Sequence, residues 1–135
     1  MEAKAIQRHI GVPVTKVRLV IDQIRGKPVE EALAILRFST RPVARIIEKT
    51  LRSAVANALV KDEDNPVDAE ELFVSCIFAD EGRTLKRLRP RARGSAFRVR
   101  KRQSHMTVFV SDGVAPTEDA DRQNEVVGAT AASEE

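Results

Sequence analysis

Tryptophan and tyrosine are absent from the 135 residues, and five phenylalanines bring the aromatic content to only 4%. A core with so few rings has to be aliphatic, and a hydrophobic content of 42% is enough to supply one. The single cysteine, Cys76, excludes an internal disulfide framework. With only His9 and His105 beside it, no zinc-type ligand spacing exists and no metal site is predicted. No stretch approaches the eighteen apolar residues that would suggest a membrane span. The opening MEAKAIQRHIGV has neither the apolar run of a signal peptide nor the acid-free amphipathic pattern of a transit peptide. A reducing cytoplasm, with no membrane partner, is therefore expected. There is no glycine-rich phosphate loop, no HExxH and no nucleophile elbow, and neither histidine has a partner near it in sequence. No catalytic residue and no cofactor are predicted.

One further absence is local. Residues 83 to 110 contain no aspartate or glutamate but ten arginines or lysines, whereas residues 111 to 135 hold seven acids and one arginine. The formal net charge of +3 averages over this asymmetry. The density is greatest in KRLRPRARGSAFRVRKR, residues 86 to 102, where arginine outnumbers lysine. Such a cluster is the electrostatic footprint of a polyanion partner, most often nucleic acid. Arginine's planar fork holds phosphate through two parallel hydrogen bonds, which suits ordered contacts better than a merely solvated tail does.

Around this stretch the periodicities describe a small domain. In VTKVRLVIDQIR, residues 14 to 25, Val17, Val20, Ile21 and Ile24 form a helical stripe, with Arg18, Asp22 and Arg25 opposite and Gly26 and Pro28 as the stop. A second helix is predicted from Val29 to Arg37, with Glu30 and Glu31 in its first turn and Val29, Leu33 and Leu36 inward. Ser39 or Thr40 can cap a third helix running to about Val60, whose apolar stripe is Val43, Ile46, Ile47, Leu51, Ala54, Val55, Ala58 and Leu59. Arg45, Glu48, Lys49 and Arg52 form its solvated face.

After the polar loop KDEDNPVD, residues 72 to 79, LFVSCIFA, are apolar in both alternations and predict a strand buried on both faces, with Cys76 an inert buried thiol. In HMTVFV, residues 105 to 110, Met106, Val108 and Val110 alternate with His105, Thr107 and Phe109 as a second strand. His105 is expected to be structural, with a backbone or RNA hydrogen bond. If residue 80 lies opposite residue 105, the pairing centre falls within Pro90 to Gly94, among the turn-forming residues. The cationic stretch is then a hairpin whose arms reach roughly 30 Å at about 3.3 Å per residue. Arg98, Arg100 and Arg102 point to one side, and Val99, Lys101 and Gln103 to the other, so neither side can bury itself. A two-stranded ribbon is marginal in water even without charge repulsion, so surrounding phosphates are needed to order it. RGSAFRVR, residues 93 to 100, partly imitates the RNP1 motif. Ser95, Arg98 and Arg100 replace two aromatics and a valine, which favours phosphate and shape recognition over base stacking.

These residues resemble the large-subunit ribosomal protein twenty-two family, the counterpart of eukaryotic large-subunit protein seventeen, over residues 3 to 112. The resemblance rests on Lys86, Arg91, Ala92, Gly94, Ser95, His105, Met106, Val108 and Val110 at the family's intervals. KRQSHMTV, KVRLVIDQIRGKPVEEAL (residues 16 to 33) and SAVANA (residues 53 to 58) add to it. It implies an α+β domain over residues 1 to 112, in which three helices pack on a small three-stranded antiparallel sheet, with a long protruding basic β-hairpin at about 80 to 105. It also implies a structural, non-enzymatic role in the large ribosomal subunit. The partners would be 23S-type rRNA, neighbouring large-subunit proteins and the nascent polypeptide in the exit tunnel. Carried onto this chain, the RNA-binding set is Lys16, Arg18, Arg25, Lys27, Arg83, Lys86, Arg87, Arg89, Arg91, Arg93, Arg98, Arg100, Lys101, Arg102 and His105. The tunnel tip is Leu88, Arg89, Pro90, Arg91, Ala92 and Arg93. Where the family opens its first helix with Ser-Pro, this chain has Pro13 and Val14, which removes a side-chain cap. From the residues alone, a free nucleic-acid-binding regulator that uses a basic β-ribbon is the alternative.

Residues 113 to 135 are acidic, rich in small residues and aperiodic, which predicts a disordered tail. Truncation after Asp112 is expected to leave the thermal unfolding midpoint unchanged, because the segment has no core pattern to lose. A clear drop on calorimetry would contradict that expectation.

Overall fold

A computed structural model describes residues 2–61 and 72–112 of the chain. The order of elements is β1 (Glu2–Ile10), α1 (Val14–Ile21), α2 (Val29–Phe38), α3 (Val43–Lys61), β2 (Leu72–Glu81), β3 (Leu85–Pro90), β4 (Ala96–Lys101) and β5 (Ser104–Asp112). This is the α+β arrangement of three helices and a small antiparallel sheet. The polar loop after α3 and the acidic tail lie outside the described residues.

The main sheet has the order β1-β5-β2, so the last strand in sequence is the central one. Its alternation dictates the layering. Met106, Val108 and Val110 are fully buried, and opposite them stand Ala3 and Ala5 of β1 and Val74, Ile77 and Ala79 of β2. The helices cover this face with Val17, Val20 and Ile21 from α1, Val29, Ala32 and Leu36 from α2, and Ile47, Leu51 and Ala54 from α3. The core is aliphatic, as the shortage of aromatics requires.

The expectation that β2 is buried on both faces holds at its start, where Leu72, Phe73 and Val74 are all buried, and fails beyond it. A bulge between Val74 and Cys76 adds one residue to β2, so the inward positions change from Leu72 and Val74 to Ile77 and Ala79. Cys76 and Phe78 consequently point to the open face, and Cys76 is exposed rather than buried. Phe78 is covered there only in part, by Phe109 at 6.2 Å between ring centroids.

Both edges of the three-stranded sheet are occupied, which removes the free backbone rows that invite further strand pairing. On the β1 edge, Asn57 Nδ2 donates to the Lys4 carbonyl (3.0 Å) and Lys61 Nζ to the Glu2 carbonyl (2.9 Å). On the β2 edge, the Gly26 amide donates to Val74 (3.0 Å) and the Val74 amide to Lys27 (2.9 Å). Farther along, Arg18 gives Nε (3.2 Å) and Nη2 (2.9 Å) to the Ala79 carbonyl, and Arg25 gives Nη2 to Ile77 (3.3 Å).

The helix ends follow from the same contacts. Regular α1 stops at Ile21, four residues short of the span that periodicity predicts. The Gln23 and Ile24 amides donate three residues back, a tightening that carries Ile24 into the core and Gly26 to the β2 edge. Gly26 adopts a φ of 72°, which is unstrained only without a Cβ. Pro13 stands at the N-cap of α1 with no side-chain cap, as the sequence implies. Ser39 Oγ accepts from the Arg41 amide at 3.4 Å, ahead of α3 rather than at its first turn. In α3, Leu59 departs from the predicted stripe and is 45% exposed.

Replacing Arg18 by methionine keeps the apolar stem and removes both hydrogen bonds to the Ala79 carbonyl. A loss of about 1–2 kcal/mol is expected, the range for a partly solvated bond to a charged donor, measurable as a lower urea midpoint with an unchanged m-value.

Candidate nucleic-acid interface

Beyond Glu81, which pairs with Ser104, the chain leaves the main sheet and forms a second one from β3 and β4 alone. Between the two sheets the pairing slips by one residue: Glu81 faces Ser104, but Leu85 faces Lys101. Gly82 sits at this junction, its amide donating to the Gln103 carbonyl at 2.8 Å. A Cβ there would lie 3.1 Å from the Gln103 carbonyl carbon and 3.2 Å from His105 Nε2, tight contacts that favour glycine at the crossing.

The slip also sets the apex. Strand pairing runs from Leu85↔Lys101 to Pro90↔Ala96, so Leu88, Arg89 and Pro90 are paired strand residues and the turn lies farther on. The Arg91 amide donates to Ser95 (2.8 Å), and the Ser95 amide and hydroxyl both donate to the Ala92 carbonyl (3.4 and 2.9 Å). Arg93 (φ 59°) and Gly94 (φ 68°) have the positive φ values that a type I′ turn requires at both central positions.

With directly opposed residues sharing a face, the ribbon has two distinct sides. One carries Lys86 opposite Arg100 and Leu88 opposite Arg98. Lys86, Arg98, Arg100 and Arg102 line, with Thr84, a hollow of about 290 Å³. The other side alternates charge with apolar surface: Arg87 opposite Val99, Arg89 opposite Phe97, Lys101 opposite Leu85. Leu85 and Val99 are half-buried, and every other residue from Lys86 to Arg102 is exposed. No ion pair involves a ribbon cation among the described residues. Four cations around one acid-free hollow repel one another, and an anion in the hollow relieves that repulsion.

The other predicted RNA-binding residues have different settings. Arg83 is exposed at the junction, and Lys16 is exposed on α1. Arg18 and Arg25 spend donors on β2 carbonyls, Arg25 also pairs with Asp22 at 3.2 Å, and Lys27 pairs with Glu31. His105 makes contacts within the protein: its Nδ1 accepts the His9 amide at 3.0 Å, and the two rings meet edge to face at 4.9 Å. His9 itself has a φ of 56° where the β1–β5 register shifts, and its Nδ1 lies 3.4 Å from Gln103 Oε1. This clamp of His9, Gly82, Gln103 and His105 at the foot of the ribbon escaped the sequence reading. Nothing in the residues flanking His9 signals a partner 96 positions away.

Among the described residues no cluster of three or more His, Cys, Asp or Glu side chains could hold a metal ion. No helix there is long and apolar enough to cross a membrane. What the surface offers is an array of guanidinium and ammonium donors on a scaffold whose own acids lie elsewhere. That defines a class, the basic α+β proteins that present a cationic ribbon suited to a polyanion.

Comparison with known proteins makes the assignment specific. The family described as Ribosomal protein L22p/L17e matches residues 5–111, and the chain belongs to it. It is 53% identical over 112 residues to the large ribosomal subunit protein uL22 of Desulforamulus reducens, covering 83% of this chain and 96% of that one. Over 109 residues it is 54% identical to uL22 of Ligilactobacillus salivarius, covering 81% and 92%. Against uL22 of Chloroflexus aggregans the identity is 47% over 112 residues, covering 83% and 96%.

Gly82→Ala is expected to cost about 1–3 kcal/mol, as overpacking against a fixed backbone does, because the Gln103 carbonyl is itself held by the Gly82 amide. Gly94→Ala meets no neighbouring atom and strains only φ, so its cost is expected to be about 1 kcal/mol, confined to the ribbon. Thermal melts and ribbon NMR shifts of the two variants distinguish junction from apex.

Proposed function

We propose that this protein is a structural constituent of the large ribosomal subunit that binds large-subunit, 23S-type rRNA through the β3–β4 ribbon and contributes to assembly. The observation that carries the proposal is the family match over residues 5–111, which spans the whole acid-free ribbon. The relatives' names place them in the large ribosomal subunit. In this reading the ribbon is a long protruding hairpin extending from the β2–β5 pair. The hollow of Lys86, Arg98, Arg100 and Arg102 clamps phosphates, and Arg87, Arg89 and Lys101 serve the opposite side. The apex around Arg91 to Ser95 lines the exit tunnel beside the nascent polypeptide, while the body meets neighbouring large-subunit proteins. In this reading the protein works in the cytoplasm as part of the ribosome and has a structural rather than an enzymatic role, which the family match supports.

The physics of phosphate binding makes the reading quantitative. If about six to eight ribbon cations meet phosphates, log affinity falls with log salt at a slope of roughly −4 to −7. A slope near zero in filter binding to large-subunit rRNA would falsify the clamp. Alanine at Arg98, Arg100 and Arg102 is expected to flatten that slope by about 2–3 and lower incorporation into large subunits. Alanine at Arg91 and Arg93 is expected to leave subunit yield intact. Sedimentation of cell extract after a high-salt wash reads both, and a soluble pool in place of subunit association would support the free regulator instead.

A further inference from the structure

The turn between α2 and α3 carries a second cationic surface, separate in sequence from the ribbon. Phe38, the last residue of α2, is 88% exposed, more than any other large apolar side chain among the described residues. It borders an open hollow of about 560 Å³ whose lining also includes Glu31, Ile35, Ser39, Thr40 and Arg41. A neighbouring hollow of about 420 Å³ is lined by Ser39, Thr40, Arg41, Pro42 and Arg45, so Arg41 stands between the two. The acids nearby are already engaged. Glu31 pairs with Lys27, and Glu48 takes Arg52 at 2.6 Å and Arg37 at 3.6 Å. Arg41 and Arg45 make no ion pair among the described residues.

An unburied ring beside two unneutralised guanidinium groups suits a ligand with a planar apolar face and a negative charge a short distance away. An unpaired nucleotide has both in one unit, since every base offers a π-face and every link carries a phosphate. A protein partner that buried Phe38 would need an apolar rim, and the rim here is polar apart from Ala34, Ile35 and Pro42. We propose that the α2–α3 turn is a second RNA contact, in which an unpaired base stacks on Phe38 while Arg41 and Arg45 hold the adjoining phosphates. The choice of RNA rests on the function proposed above, but the surface is a different one.

The test is filter binding of the full chain to protein-free large-subunit rRNA, comparing wild type with Phe38→Leu, Phe38→Trp and the double variant Arg41→Ala/Arg45→Ala. Loss of the ring in Phe38→Leu is expected to weaken binding roughly 5-fold or more, within the range for one stacked base, and Phe38→Trp is expected to restore it. The double variant is expected to flatten the salt slope by about 1.4 to 1.8. Because all three side chains are exposed, the variants are expected to melt like wild type. Equal affinity of Phe38→Leu and wild type, or failure of Phe38→Trp to restore binding, overturns the stacking. An unchanged salt slope overturns the phosphate contact. A photoreactive phenylalanine at position 38 that labels a protein rather than RNA in assembled subunits overturns the whole site. If wild type itself does not bind rRNA, both proposals fall; if it binds and the variants match it, only this one does.

Discussion

Every strand pairing in the main sheet is made with β5. β1 and β2 never touch as neighbours, so the sheet exists only when residues 104–112 lie between them. The same strand supplies Met106, Val108 and Val110, each fully buried, to the centre of the core. Since β2 and β5 are antiparallel and joined through the ribbon, docking β5 brings the two feet of β3 and β4 together. The hydrophobic alternation of β5 thus sets the position of the cationic ribbon, although no ribbon residue belongs to the core.

This coupling explains how a mutually repelling segment keeps one register. Its own pairing is weak: Lys86 faces Arg100 directly, and only Leu85 and Val99 gain partial cover. The body compensates at the foot, where Gly82 bonds Gln103, and His105 takes the His9 amide. Repulsion along the arms remains unrelieved, and that unspent electrostatic free energy favours an anionic partner. Arginines on the body have a different use. Arg18 and Arg25 bond carbonyls on the outer edge of β2, so the same residue type serves as glue there and as a surface charge on the ribbon.

Membership of the L22p/L17e family and this charge distribution point to one working principle, in which a small aliphatic body carries cations outward to a partner it does not enclose. The body offers charge at the α2–α3 turn as well, where Phe38 and Arg41 border one hollow. Two separated cationic surfaces suit a partner larger than the protein itself.

The residues alone were enough for the helical stripes, the alternation of β5 and the acid-free run, because each is a local pattern repeated over several positions. β1 was not legible as a strand, since its inward residues are Ala3 and Ala5, whose small side chains create almost no alternation until Val108 and Val110 pack beside them. The exposure of Cys76 depends on one extra residue at the β2 bulge, and strand periodicity cannot anticipate an insertion that pairing with β5 defines. The one-residue slip that centres the turn on Arg93 and Gly94, and the contact of His9 with His105, likewise arise only when distant segments meet. Period and charge are properties of neighbours along the chain, whereas register, edge cover and the ribbon's foot are properties of neighbours in space.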